Sequence, residues 1–412
     1  MINKQIIKSK CDALLLVTAR QLLQMEDLIF DLKKTGINLQ ILTYNMTLDY
    51  KNKIDKFVDG YFEKEKLIDS KVRREAADLY KKLVAKHDWT RFTHPKYNNN
   101  KTVSKFLRDK LKKIAYEEMG EVLIDITLAE KMLPALDPKI LITTTDPDTK
   151  VLPYIKLAKG LGKTTVCLQH GAFYAFDSPA IYPQSDHFIT WSNLTKNWLV
   201  KNNHFRRLSI FIGQSPFHKL AKFKSLKPKK GGIKILYLTS VHLVDQGIVN
   251  YYLKKLFRLL EEKKQKIILL VRTHPNQVQH IVNLRALIAH SSLDADLVND
   301  GDLDKLIKQS DLVIYENTTA GFDTMLAGKP TVYFNPYSGE DFFSVRSNDA
   351  SLAILNEKDL DNLLIPFLDN VKLWSRFAKN GFSYAKKYLG VDRQTKISKI
   401  SKVLVRLLKT RT

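Results

Sequence analysis

Residues 311–330 read DLVIYENTTAGFDTMLAGKP. An apolar run, DLVIY, ends in polar ENTT. A small-residue segment follows, and GKP then leads into a second apolar run, TVYF, at 331–334. A continuous apolar run that closes on polar residues before a helical segment reads as a strand of a parallel sheet, covered on both faces. Two readings are open for Thr318, Thr319 and Gly321 at this junction. A helix N-terminus presents unbonded N–H groups and partial positive charge; two hydroxyls and a glycine that allows close backbone approach make a phosphate site there. The same residues also serve as a plain N-cap with nothing bound. Asp323, inside the helix, either accepts from ribose hydroxyls or stands as a solvated carboxylate.

The alternation extends in both directions. DALLLVTA (12–19), INLQILTY (37–44), PKILITTT (138–145), TTVCLQHG (164–171), HFITWS (187–192) and RRLSIFIG (206–213) read as strands. Helical spacing runs over 21–36, with a glycine stop, and over the charged stretches 60–86 and 103–133. KSLKPKKGG (224–232) is a basic Pro/Gly linker, after which the pattern restarts: IKILYLTS (233–240), a helix over 247–264, KIILLVRTHP (266–275) and a short helix over 302–310. A chain of 412 residues exceeds one ordinary core, which stops growing near roughly 250–300 residues. The expected fold is α/β: two Rossmann-like, doubly wound parallel-sheet domains facing a central cleft. The expected units are 1–225, with a helical insertion over about 60–133, then 226–385, and a basic C-terminal helix over 386–412.

The net charge is +24, from 67 Lys and Arg against 43 Asp and Glu. It favours anionic partners: nucleic acid, an anionic membrane face or phosphorylated substrates. The lysines are spread widely, so a merely basic surface is the competing account. No RNP, zinc-finger or homeodomain signature accompanies the charge, which leaves specific nucleic-acid binding without support. Cys11 and Cys167, the two cysteines, sit in apolar strand-like runs and read as buried thiols. They make neither a disulfide framework nor a zinc site, and a reducing cytoplasm is expected. No apolar run approaches the ~18 residues of a spanning helix. The basic start and short LLLV run read as the first core strand rather than a signal peptide.

Polar residues collect at the strand ends, where doubly wound sheets bind ligands. Gln169, His170 and Gly171 follow one strand, Thr239 and Ser240 another, and Arg272, Thr273 and His274 a third. Arginine forks onto phosphate oxygens and a histidine adds one donor, so Arg272 and His274 suit a diphosphate. An imidazole such as His170 can take a proton from an attacking hydroxyl. Asp146 and Asp148, in TTTDPDT, could meet a metal or an acceptor, but turn formation through Asx bonding is the preferred role. His94–Pro95 reads as a loop feature. P-loop, GxGxxG, GxSxG and HExxH signatures are absent from the sequence.

Together, DLVIYENTTAGFDTMLAGKPTVYFNP, the upstream VRTHP and the earlier LQHG resemble the GT-B glycosyltransferase superfamily. The likeness is greatest to the bacterial surface-polysaccharide branch, with its capsule transferases and CDP-glycerol glycerophosphotransferases. The resemblance implies a metal-independent glycosyltransferase moving a sugar, or a polyol phosphate, from a nucleotide-activated donor to a surface-polysaccharide or lipid-linked glycan acceptor. It implies no resident cofactor and no metal ligand. His170 becomes the general base, with Gln169 and Gly171 on the acceptor side. Thr239, Ser240, Arg272, His274, Thr318, Thr319 and Gly321 face donor phosphates, and Asp323 faces the ribose. Glycerophosphotransferases carry Trp before the HG pair; Gln169 here favours the capsule-like side. The positive surface would then hold a cytoplasmic enzyme against the anionic inner face of the plasma membrane. Two alternatives stand. One is a nucleotide-sugar 2-epimerase of the same two-domain build, for which Asp146 and Asp148 are the obvious N-terminal acids. The other is a non-enzymatic basic protein that binds nucleic acid or membrane.

Overall fold

Leu14, Leu15, Leu16 and Val17 are all buried, so successive side chains, pointing to opposite faces, are covered on both sides. This is strand β1 (Ala13–Thr18) of a computed structural model that describes residues 10–86, 101–146, 148–171, 184–202, 206, 209–216, 218, 232–240, 245–263, 266–274, 281–298, 302–391 and 398–410. The first sheet adds β2 (Leu39–Tyr44), β3 (Phe62–Glu63), β4 (Ile140–Thr143), β5 (Thr164–Leu168), β6 (His187–Thr190) and β7 (Ile210–Ile212). Its order is β3-β2-β1-β4-β5-β6-β7, and every neighbouring pair is parallel. The second sheet holds β8 (Ile233–Leu238), β9 (Ile267–Arg272), β10 (Asp294–Val298), β11 (Leu312–Tyr315), β12 (Thr331–Phe334) and β13 (Leu352–Ile354), in the order β10-β9-β8-β11-β12-β13, again all parallel. Both orders reverse direction once, between β1 and β4 and between β8 and β11. Each sheet is therefore doubly wound, with its ligand-binding crevice expected at the reversal.

The chain divides into two compact units. The first runs through His170, resumes in the 184–216 stretch and includes the helix Ser398–Lys409. The second takes Gly171 and the chain from His218 through Val391. In the first unit, one face of the sheet packs on Leu128, Met132, Leu133 and Leu136 of the helix Lys101–Leu136. The other face packs on Leu22, Leu28, Ile29 and Leu32, together with Ile400, Leu404 and Leu407 of the C-terminal helix. The second unit packs Val249, Leu253, Leu256 and Leu260 of the helix Gln246–Glu261, with Leu360 and Leu364 of the helix Glu357–Leu368, onto one face of its sheet.

Several elements differ from the expected pattern. The helix over 21–36 is two helices, Ala19–Gln24 and Glu26–Lys34; Thr18 and Gln21 form a capping box at the start of the first. The 60–86 stretch begins with β3 and the short helix Lys64–Leu67 before the helix Ser70–Lys86. Strands β10 and β13 escape the apolar criterion: β10 reads DADLV and is a partly exposed edge, and β13 has three residues. Where a basic helix over 386–412 is expected, the helix Val371–Leu389 first runs to Gly390, whose φ of 65° ends it, and Ser398–Lys409 is a separate helix. The 224–231 part of the linker, the HP pair at 94–95, Pro275 and the aromatics at 173, 174 and 176 lie outside the described residues.

Candidate functional site

The second sheet sets three strand ends level. In the register, Tyr315 of β11 pairs with Leu238 of β8, and Leu238 pairs with Arg272 of β9. The chain beyond each strand therefore leaves the sheet at the same height, beside the β8/β11 reversal. These exits carry Thr239 and Ser240, Thr273 and His274, and Glu316 through Thr319. The eight residues expected at the donor site thus come from one end of one sheet and the short helix Ala320–Leu326 that follows it.

Hydrogen bonds lock the exits to one another. Thr239 is buried; its backbone N–H donates to the Arg272 carbonyl at 3.1 Å, and its Oγ1 accepts the His274 N–H at 3.0 Å. Ser240 donates its backbone N–H to Glu316 Oε2 at 2.6 Å. Tyr337 Oη donates to Glu316 Oε1 at 2.7 Å, and Tyr237 Oη donates to the same oxygen. Glu316 is itself buried, so this carboxylate is satisfied within the fold rather than by water. Asn317 accepts from Tyr333 Oη at 2.5 Å.

At the opening motif the two threonines differ in their capping. Thr318 caps: its Oγ1 accepts the Ala320 N–H at 3.3 Å. Thr319 occupies the N-cap position but makes no side-chain cap bond. Both are half-buried, as are Arg272 and His274. The helix has seven residues, so its dipole is short and the hydroxyls and cation are the stronger donors. Gly321 has a packing reason beyond any ligand: a Cβ there would stand 2.3 Å from the Tyr315 ring.

Asp323 lies in the first turn of the helix Ala320–Leu326, with His218 Nε2 3.7 Å from its Oδ1. The His218 side chain is 4% exposed and that of Asp323 30%. Burial lowers the His218 imidazole to about 4. Burial, then the nearby charge of Asp304, raises the Asp323 carboxyl to about 8. Both shifts favour neutral groups near pH 7.

In the first unit, His170 follows β5. Its side chain is solvent-accessible, yet surrounding protein lowers its pKa, against a hydrogen bond with the Thr144 backbone and the charge of Asp148. Gln169 turns inward: it is buried, its Oε1 accepts the Trp191 N–H at 3.0 Å, and its carbonyl accepts Trp191 Nε1–H at 2.7 Å. Gly171 belongs to the second unit. Asp146 is buried and accepts from Gln184 N–H (2.8 Å), Ser185 N–H (2.7 Å), Ser185 Oγ (2.7 Å) and Thr143 Oγ1 (3.2 Å). Asp148 makes an Asx bond with Lys150 N–H at 2.9 Å and accepts from Tyr44 Oη at 3.2 Å. No group of metal-ligand side chains occurs among the described residues.

Four participants escape the sequence reading. Glu316 shows only as one more polar residue in ENTT. Tyr237 and Tyr337 show as apolar strand and loop residues whose hydroxyls carry no periodic signal. His218 shows only as one more histidine without metal-ligand spacing.

No family model matches this chain, and no curated protein matches it. Solved structures do. The Staphylococcus aureus MnaA–UDP co-structure aligns with a TM-score of 0.62 at 9% identity, over 97% of this chain and 96% of that one. UDP-GlcNAc 2-epimerase from Neisseria meningitidis, bound to UDP-GlcNAc, aligns at 0.56 and 9% identity, over 97% and 100%. TarM aligns at 0.56 and 11% identity, over 96% and 98%. The chain has the GT-B fold. GT-B neighbours of this chain include both glycosyltransferases and epimerases, and at these identities the likeness speaks for the fold alone.

Proposed function

We propose that this GT-B chain is a glycosyltransferase that moves a sugar, or a polyol phosphate, from a nucleotide-activated donor to a surface-polysaccharide or lipid-linked glycan acceptor. The observation that carries the reading is the level exit of β8, β9 and β11, which gathers Thr239, Arg272, His274, Thr318 and Thr319 beside the sheet reversal. In this reading Arg272, His274 and the hydroxyls offset the charge that develops on the leaving diphosphate. Asp323 accepts from the ribose. His170, kept neutral by its lowered pKa, takes the acceptor hydroxyl's proton. The net charge of +24 supports an acceptor presented on an anionic membrane face. Among the described residues no helix is long and apolar enough to cross a membrane, so this contact would be peripheral.

An epimerase of the same build needs acids and bases free to act at the sugar. Asp146 is committed to four hydrogen bonds, Asp148 to its own turn, and the buried Asp125 to Lys64 at 2.5 Å. That supports transfer over epimerisation. A thermal-shift panel of CMP, CDP, UDP and GDP tests the donor site: one nucleotide stabilises the protein, and Arg272→Ala and Thr319→Ala abolish the shift. Indifference to all four favours the non-enzymatic basic protein. Incubation with UDP-GlcNAc alone, followed by NMR, separates the enzymes, because a C2 epimer without acceptor would overturn the transferase reading.

A further inference from the structure

Glu316 is a buried carboxylate with three donors on it: Ser240 N–H at 2.6 Å, Tyr337 Oη at 2.7 Å and Tyr237 Oη. Each partner comes from a different place. Ser240 lies beyond β8, Tyr237 within β8, and Tyr337 beyond β12, while Glu316 is the first residue past β11. Thr239 adds the remaining link, since its Oγ1 holds the His274 N–H beyond β9. A carboxylate satisfied this fully is rigid, and losing one partner leaves a buried group uncompensated. The same bond also occupies the Ser240 amide, which removes that N–H from any ligand.

Resting on the donor reading above, we propose that Glu316 is a positioning residue: by clamping Ser240, Tyr237 and Tyr337 it presets the strand-exit loops that receive the donor's diphosphate. It does not touch the ligand. It sets the spacing between Thr239 on one exit and Thr318 and Thr319 on the next. A diphosphate, which must bridge these exits, depends on that spacing more than a monophosphate does.

The test is titration calorimetry of the full chain with CDP, UDP and GDP and with the matching monophosphates. Glu316→Gln replaces an acceptor oxygen by an amide that cannot accept from both sides. The expected result is a loss of about tenfold in affinity for whichever diphosphate binds, about 1.4 kcal/mol, with the monophosphate less affected, so the diphosphate preference shrinks. Tyr337→Phe keeps the carboxylate and removes one donor; a smaller shift in the same direction is expected, and this variant decides the question if Glu316→Gln fails to fold. Leu364→Ala, in the apolar core, controls for lost stability and should leave the preference unchanged. Failure of every diphosphate to bind the unaltered protein overturns the donor reading and this proposal with it. Binding with an unchanged preference in folded Glu316→Gln or Tyr337→Phe overturns the positioning role alone.

Discussion

His170 and Asp323 have opposite electrostatic histories, and each makes a pH-dependent prediction. A base must be neutral to act, so rate rises with pH through its pKa; because protein around His170 lowers that pKa, the acid limb of kcat/KM should fall below the ordinary ~6.5. His170→Ala should retain nucleotide binding and lose about 10²–10⁴ in turnover. Unchanged turnover would remove His170 from the chemistry. For Asp323 the sign runs the other way. Its carboxyl titrates near 8 when folded and near 4 when unfolded, so the unfolded chain releases the proton first as pH rises. Stability is therefore lost between about pH 4 and pH 8. Asp323→Asn should abolish that dependence, raising Tm relative to the unaltered protein more at pH 8 than at pH 5, by roughly 2–4 °C for each kcal/mol recovered. An equal difference at both pH values would show that the carboxyl is not the cause.

Elements explain what the sequence could and could not show. Strands such as β1, β8 and β11 are buried on both faces, and a continuous apolar run betrays them. Edge strand β10 is half solvated and acidic, and its pairing with β9 is a tertiary fact that DADLV does not advertise. The residues of the proposed donor site are legible because polar groups interrupt apolar runs where strands end. The clamp around Glu316 is not, because it depends on hydroxyls brought together from residues up to 100 positions apart. Gly321 shows how a motif residue can be read for too little: its hydrogen atom is also what the Tyr315 ring packs against. Gly321→Ala should destabilise the second unit by about 1–3 kcal/mol through overpacking, measured by denaturant unfolding. A change within ±0.5 kcal/mol would mean that the ring moves aside freely.

Across the whole molecule, the C-terminal helix belongs to the first unit although its sequence follows the second. Ile400, Leu404 and Leu407 are buried against that unit's core, and Ser401 donates to Asp31 at 2.6 Å. A Cβ on Gly213 would meet Ile400 at 2.8 Å, so the helix docks where a glycine makes room. Ending the chain before Ser398 uncovers three apolar side chains worth roughly 1.5–3 kcal/mol each, and should lower the first unit's Tm; an unchanged melting profile would contradict the docking. The central claim, a nucleotide-activated donor held at the exits of β8, β9 and β11, is tested most directly by calorimetric titration of the full chain with CDP, UDP and GDP. The account predicts saturable one-site binding of at least one, weakened about 10- to 100-fold in Arg272→Ala, as for loss of a hydrogen bond to a charged group. Absence of binding, or binding that Arg272→Ala leaves unchanged, would contradict it.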